Sequence, residues 1–433
     1  MLNQQFISRL KKLTEKGAIP EELLKRINAN DLQSIILVLI NDATLEERIM
    51  SLTPGTGFRL DKQESGLERT ITILRAQDGE LECILETENL DAQNKSCEVE
   101  EFDGLIKKGR QAWRLDGPNG PEKYASLYVE LSKKKKFNSK NQAAQARLAS
   151  IQKEVAFSWS LPKNDYVLTS RLGPIYSNEN GTFVSIHSLY GIRLDDIDQY
   201  NLTQAQHQEI ISKVLEGLVF LEKNDIIHGD IKPANVLVFL GKDNRICVKF
   251  IDFGTICNIK GNTYQNALHA TPGYESPEIA LVVSEPSHPD HQEYEAVYAD
   301  VEGKNYAKLC ADKMSIELRE KFKSPHPKND VWATGVMLHE FLHEGAFLDK
   351  LPDEPFLRGM LEADREKRFD AATALKEWKK SLEKPAPIEM VQRHYLPSYR
   401  TVIDKVKSTS FVDKVSIFAH ETYGSFKRLF KGV

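Results

Sequence analysis

Long apolar runs are missing from this 433-residue chain. The longest purely aliphatic one, Ile35 to Ile40, is far short of the ~20 residues that span a bilayer, so no transmembrane helix is expected. The N-terminus, Met1-Leu2-Asn3-Gln4-Gln5, lacks the basic patch and apolar run of a secretory leader. Cysteines are few and scattered (Cys83, Cys97, Cys247, Cys257 and Cys310), odd in number and without a CxxC pair. That pattern removes a zinc ribbon and a disulfide framework, favours a reducing compartment and predicts a cytoplasmic protein. An excess of positive charge is also lacking. The net charge of -5 excludes a globally basic nucleic-acid binder, and no nucleic-acid partner is expected. No internal repeat or low-complexity tract is present, and Lys133 to Lys136 is the only run of four like charges. What the chain does have is ordinary: 41% hydrophobic and 28% charged residues, which argues for a folded core and against wholesale disorder.

Residues 1–50 read as helical. Phe6, Leu10 and Leu13 recur at helical spacing, and Pro20 before Glu21 and Glu22 marks a helix start. Leu23, Leu24, Ile27, Leu32, Ile35 and Ile36 continue the apolar face. From Gly55 the period changes. Thr70 to Leu74 and Leu81 to Leu85 flank Gln77-Asp78-Gly79-Glu80, which predicts a β-hairpin. Strands are further expected at Ala112 to Leu115, Lys123 to Leu131, Tyr166 to Leu168 and Thr182 to Ile186, with a helix over 141–160. After Thr203 the chain turns mainly helical.

The chemistry lies in Ile226-Ile227-His228-Gly229-Asp230-Ile231-Lys232-Pro233-Ala234-Asn235-Val236-Leu237 and in Val248-Lys249-Phe250-Ile251-Asp252-Phe253-Gly254. Two strands deliver two carboxylates and one carboxamide to one place, an arrangement suited to phosphoryl transfer. Asp230 can accept a proton from an attacking hydroxyl. Lys232 can neutralise charge on the moving group. Asn235 and Asp252 are hard oxygen ligands suited to Mg²⁺.

These residues make the sequence resemble the eukaryotic-type protein kinase family. Its H-x-D-x-K-P-x-N pattern is met at His228, Asp230, Lys232, Pro233 and Asn235, and its D-F-G at Asp252 to Gly254. Thr271 to Glu278 resembles the end of an activation segment, with Ser276-Pro277-Glu278 in place of A-P-E. Asp330 to Gly335 resembles the start of a buried helix beneath the catalytic loop, and Asp364 to Phe369 a late segment whose Arg368 pairs with Glu278. Lys232-Pro233 and the Thr271-Pro272-Gly273-Tyr274 run are similar to the serine/threonine branch. The likeness covers roughly residues 105–382.

The resemblance implies an α+β, bilobal kinase fold that uses ATP and Mg²⁺ to phosphorylate protein substrates. The implied division is a helical extension over 1–60, an N-lobe over 61–190 that includes the hairpin, a C-lobe over 191–383, and a tail over 384–433. Among rival readings are a pseudokinase scaffold and, because His228-Gly229-Asp230 is similar to the aminoglycoside and choline kinases, a small-molecule phosphotransferase. The mixture of an intact catalytic loop and a divergent small lobe is similar to eukaryotic-like kinases that intracellular bacteria deliver into host cells.

Departures from the family pattern are local. Gly229 stands where the family has an arginine that holds a phosphorylated activation loop, so activity is expected without that phosphorylation. A G-x-G-x-x-G loop is reduced to Gly104 and Gly109. Ala125, Leu127, Val129 and Leu131 alternate, so Lys133 falls on the same strand face and is the candidate phosphate-binding lysine, with Lys135 and Lys107 as rivals. Glu154, 21 positions on, is the candidate partner of Lys133. An insertion over 281–328, with 9 acids against 7 Lys/Arg, is a candidate docking surface for a protein substrate. Only 33 positions separate Gly335 from Arg368, too few for the usual helices there. The tail carries 9 Lys/Arg against 4 Asp/Glu and an apolar face, which suits an anionic membrane, a partner or packing on the kinase.

Overall fold

The computed structural model describes residues 2–383, except 87–98, 132–156, 168–174, 241–244, 259–270, 299–304, 344–347 and shorter stretches of one or two positions elsewhere. The chain divides into two compact units at Gly191 and Ile192. Lys133, Glu154, Gly104, most of the helix expected over 141–160 and the tail over 384–433 lie outside the described residues.

The first unit begins with four helices: α1 (Leu2–Lys12), α2 (Glu21–Leu24), α3 (Ala29–Asn41) and α4 (Ala43–Ser51). Local chemistry sets their starts. Asn28 caps α3 by accepting the N–H of Asn30, and Asp42 caps α4 by accepting those of Thr44 and Leu45. Pro20 sits just before α2, with Glu21 and Glu22 in the first turn. An antiparallel sheet follows: β1 (Gly57–Glu64), β2 (Leu67–Arg75), β3 (Leu81–Glu86), β4 (Val99–Phe102), β5 (Leu105–Arg114), β6 (Glu122–Leu131), β7 (Ile175–Asn178) and β8 (Gly181–Leu189). The strand order is β1-β2-β3-β5-β6-β8-β7, with β4 also paired to β5.

The expected hairpin is β2–β3, with Ile71 opposite Leu85 and Ile73 opposite Cys83. The helices and this hairpin share one core. Phe6, Leu10, Leu32, Ile36 and Ile49 pack with Ile71, Ile73, Leu81, Cys83, Leu85 and Trp113. A buried polar cluster closes it: Asp116 accepts from the Arg9 guanidinium at 3.0 Å and from the Cys83 N–H at 2.7 Å. Of the strand expected at Tyr166 to Leu168, Tyr166 lies in a bend, Val167 forms a single β-bridge and Leu168 lies outside the described residues. The Asn164 carboxamide oxygen accepts the N–H groups of Tyr166 and Val167, competing with ladder pairing.

The second unit is mainly helical. It holds β9 (Ile192–Arg193), a 3₁₀ turn over Leu194–Gln199, α5 (Gln204–Lys223), β10 (Ile226–Ile227), β11 (Val236–Leu240), β12 (Ile246–Phe250), β13 (Cys257–Asn258) and α6 (Pro277–Val283). Then come α7 (His291–Tyr298), α8 (Tyr306–Ala311), α9 (Leu318–Phe322), α10 (Pro327–Leu342), α11 (Pro355–Met360) and α12 (Ala371–Glu383). Helix α10 is buried along most of its length, through Val331, Trp332, Val336, Met337 and Leu338. Gly359 of α11 has to be glycine, because a Cβ there would sit 2.0 Å from the Phe369 ring.

The insertion supplies α7, α8 and α9. Its Tyr294, Ala311 and Phe322 share a core with Ile279, Leu281 and Val283. Tyr306 stacks on Trp332 of α10, with rings 6.0 Å apart and 6° from parallel. Between α10 and α11 no helix occurs among the described residues, in keeping with the short spacing there.

Candidate active site

The loop from His228 to Asn235 is fixed at both ends by strands. Before it, β10 pairs antiparallel with β13, Ile227 opposite Cys257. After it, β11 pairs with β12, Val236 opposite Phe250. That register brings the end of the loop beside the start of Asp252-Phe253-Gly254, and the Ile251 N–H donates to the Asn235 carbonyl at 3.0 Å.

The floor of the loop is Asp330 of α10. One carboxylate oxygen accepts the His228 N–H at 2.6 Å and the other the Gly229 N–H at 3.0 Å. Burial pushes the Asp330 carboxyl above its ordinary value, while His228 and these two N–H groups pull it down. The His228 ring is a packing and hydrogen-bonding group. Its Nε2 lies 3.0 Å from the Ile251 carbonyl, and its ring packs 4.9 Å from that of Phe253.

The candidate reacting groups sit above. Lys232 Nζ donates to Asp230 Oδ2 at 2.8 Å, and Asn235 Nδ2 donates to the Asp230 carbonyl at 2.8 Å and to its Oδ2 at 3.1 Å. Thr271 joins them: its hydroxyl donates to Asp230 Oδ1 at 2.5 Å and accepts from Lys232 Nζ at 3.0 Å. Asp230 therefore accepts one hydroxyl and two nitrogen donors, and its side chain stays 16% exposed. Asp252 is exposed and sits at φ +64°, a left-handed conformation that costs a non-glycine residue free energy and recurs at functional sites. Its side chain makes no hydrogen bond or ion pair among the described residues. The Asn235 carboxamide gives its nitrogen to Asp230, which leaves its oxygen as an acceptor. That oxygen and the Asp252 carboxylate fit a hard cation such as Mg²⁺, which takes one or two protein oxygens and completes its shell with phosphates and water.

Below the loop, Glu278 and Arg368 form the expected pair, joined by hydrogen bonds of 2.7 and 2.9 Å. Asn329 adds a bond to Glu278 Oε1 at 2.8 Å, and the Arg368 guanidinium lies 5.0 Å from the Trp332 ring. Tyr274, whose neighbours in the activation segment signalled the branch, donates its buried hydroxyl to Glu340 Oε2 at 2.5 Å. Burial pushes the Glu340 carboxyl up to about 7. Nothing in the sequence marked this pair. His339-Glu340-Phe341-Leu342-His343 also has the H-E-x-x-H spacing of zinc peptidases. The geometry rejects that use: Glu340 is turned to Tyr274, and His343 Nε2 lies 3.1 Å from Glu354. Among the described residues no group of three or more His, Cys, Asp or Glu side chains could hold a metal ion.

In the first unit Gly109 lies within β5, opposite Leu127 of β6, and Phe102 of β4 is opposite Leu105 of β5. Lys107 stands in β5 between Val129 of β6 and Glu100 of β4. The lysine of β6 is Lys123, which is held by Glu22 of α2 at 2.6 Å.

Comparison with known proteins points the same way. The model of the protein kinase domain matches residues 130–299. Over 90 residues the chain is 32% identical to the phosphorylase b kinase gamma catalytic chain, liver/testis isoform, of Mus musculus, covering 21% of each chain. It is 42% identical over 79 residues to the probable serine/threonine-protein kinase gdt4 of Dictyostelium discoideum, covering 18% of this chain and 5% of that one. It is 31% identical over 136 residues to the serine/threonine-protein kinase dst4 of the same organism, covering 30% and 27%. The chain thus spans about a fifth of the length of the mouse relative. These likenesses support a eukaryotic-like protein kinase.

Proposed function

We propose that the chain transfers the γ-phosphoryl group of ATP to serine or threonine hydroxyls of protein substrates, with Mg²⁺. The observation that carries the reading is the Asp230 carboxylate, bridged by Lys232 and steadied by Asn235, with the exposed Asp252 on the adjoining turn. Asp230 accepts a hydrogen bond from the acceptor hydroxyl and takes its proton as attack proceeds. The Thr271 hydroxyl, which already donates to Asp230, supports this carboxylate as a hydroxyl acceptor. Lys232 holds positive charge 2.8 Å from that carboxylate, beside the path of the transferred group. Asn235 and Asp252 would hold Mg²⁺, which when bound neutralises charge on the nucleotide phosphates.

Lys133, with Glu154 as its partner, is the proposed phosphate-binding lysine, and Lys107 is its rival on β5. The protein substrate is proposed to dock on the 281–328 insertion, and the basic tail to contact a membrane or partner. The proposed setting is cytoplasmic, including delivery into a host cell. The incomplete G-x-G-x-x-G pattern around Gly104 and Gly109 favours one alternative, a pseudokinase scaffold.

Turnover separates the two. The full chain is assayed with Mg-ATP and a generic protein substrate, beside Asp252→Ala and Asp230→Asn. Wild-type turnover with losses of about 10²-fold or more in the variants is expected. Absence of wild-type turnover, or wild-type rates in either variant, overturns the enzyme reading.

A further inference from the structure

Gly229 and Thr255 are a matched pair. Gly229 has φ +79°, and a Cβ there would stand 3.2 Å from the Thr255 carbonyl oxygen and 3.4 Å from its hydroxyl. The glycine therefore meets two requirements: a left-handed backbone and room for its neighbour. Into that room Thr255 brings its hydroxyl, which donates to the His228 carbonyl at 2.8 Å. The next residues follow suit. Ile256 donates its N–H to the Phe253 carbonyl at 3.3 Å, and β13 pairs with β10, Cys257 opposite Ile227 and Asn258 opposite Ile226. From 253 to 258 the chain is thus fastened to the strand and loop carrying Asp230 by a ring contact, a hydroxyl and a two-residue ladder. None of these fastenings uses a charged side chain.

We propose that Thr255 is a positioning residue: its hydroxyl, admitted by Gly229, locks the segment after Asp252 onto the catalytic loop and so holds Asp252 in its left-handed turn. Asp252 pays for that turn in strain, and strained turns persist where their surroundings over-determine them. Phe253 against His228 fixes one side of Gly254, and Thr255 fixes the other. A side chain at position 229 would place its Cβ 3.2 Å from the Thr255 carbonyl oxygen, tighter than ordinary contact, and would put a non-glycine residue at φ +79°. The consequence of the lock for Mg²⁺ rests on the kinase reading; the lock itself does not.

Thr255→Val keeps the shape and removes the donor, leaving the His228 carbonyl without that hydrogen bond. Thr255→Ser keeps the donor. Hydrogen exchange of residues 254–258 is measured on the metal-free full chain. Exchange in Thr255→Val is expected to rise about tenfold, as loss of one hydrogen bond allows, and Thr255→Ser to restore protection. Gly229→Ala, which keeps Thr255 but crowds its carbonyl, is expected to raise exchange in the same residues. The Mg²⁺ concentration for half-maximal turnover should rise about fivefold in Thr255→Val and return in Thr255→Ser. Wild-type exchange in both Thr255→Val and Gly229→Ala overturns the lock. Raised exchange with no turnover in the wild type keeps the lock and removes the kinase reading. Raised exchange with an unchanged Mg²⁺ requirement overturns the role of Thr255 in holding Asp252.

Discussion

Arg368 grips Glu278 through two parallel hydrogen bonds, 90 positions apart in sequence, with both side chains almost wholly out of water. Removing one partner strands a buried charge, whereas removing both does not. Arg368→Met is expected to cost about 3–5 kcal/mol, and the double variant with Glu278→Gln to recover part of that loss. Urea unfolding of the three chains checks it. A loss below about 1 kcal/mol in the single variant would place the pair with ordinary surface bridges.

Glu340 gives a pH signature. Its carboxyl is raised by burial from an ordinary 4.5 to about 7, so the folded chain holds its proton more tightly than the unfolded chain. That contribution to stability is full below about pH 4.5 and is lost as pH rises through about 7. Asp330, Asp116 and Glu222 are also raised by burial and contribute with the same sign. Thermal unfolding from pH 4.5 to 8 should therefore show a steeper decline for the wild type than for Glu340→Gln, by up to about 3 kcal/mol across the window. Parallel curves would contradict it.

Gly229 bears on regulation. With no arginine beside Asp230, phosphatase treatment of the purified chain should leave most of its turnover. A large drop, restored by autophosphorylation, would show that another cation serves an activation-loop phosphate.

Tyr306 shows that the insertion is part of the second unit's core. Tyr306→Ala should destabilise by about 1–3 kcal/mol, because a stacked ring on Trp332 is lost. In contrast, Ile316→Ser, at a side chain 65% exposed, should change stability by less than about 0.5 kcal/mol. Chemical unfolding distinguishes them. Docking on this insertion is therefore best tested by such surface substitutions and not by excision, which would take Tyr294, Tyr306 and Phe322 out of the core.

The candidate site loop was legible in the sequence because its pattern is local: Asp230, Lys232 and Asn235 fall within six positions, between strands with plain apolar runs. The hairpin around Gly79 and the start of α2 after Pro20 were legible for the same reason. Contacts across sequence were harder. The Glu278–Arg368 pair came only from family likeness, and Tyr274–Glu340, 66 positions apart, left no trace in composition or spacing. Thr255 was hidden too, since its value depends on what Gly229 lacks. The strand expected at Tyr166 is reduced at its start to a single bridge at Val167, because Asn164 takes the N–H groups of Tyr166 and Val167. The glycine at 109 suggested a loop, yet ten consecutive residues of β5 pair along β6.

The bond between Arg9 and Asp116 spans 107 positions and seals the core shared by α1 and the β2–β3 hairpin. During synthesis, Arg9 leaves the ribosome long before its partner exists. The β2–β3 hairpin that covers the apolar faces of the first four helices is made before Asp116, but the polar closure of that core waits for Asp116. The core around α1 is thus sealed only after 107 further residues have been made. Substitutions at Arg9 or Asp116 would act first on the nascent protein, as a longer interval of exposed apolar surface and a greater demand for chaperone protection.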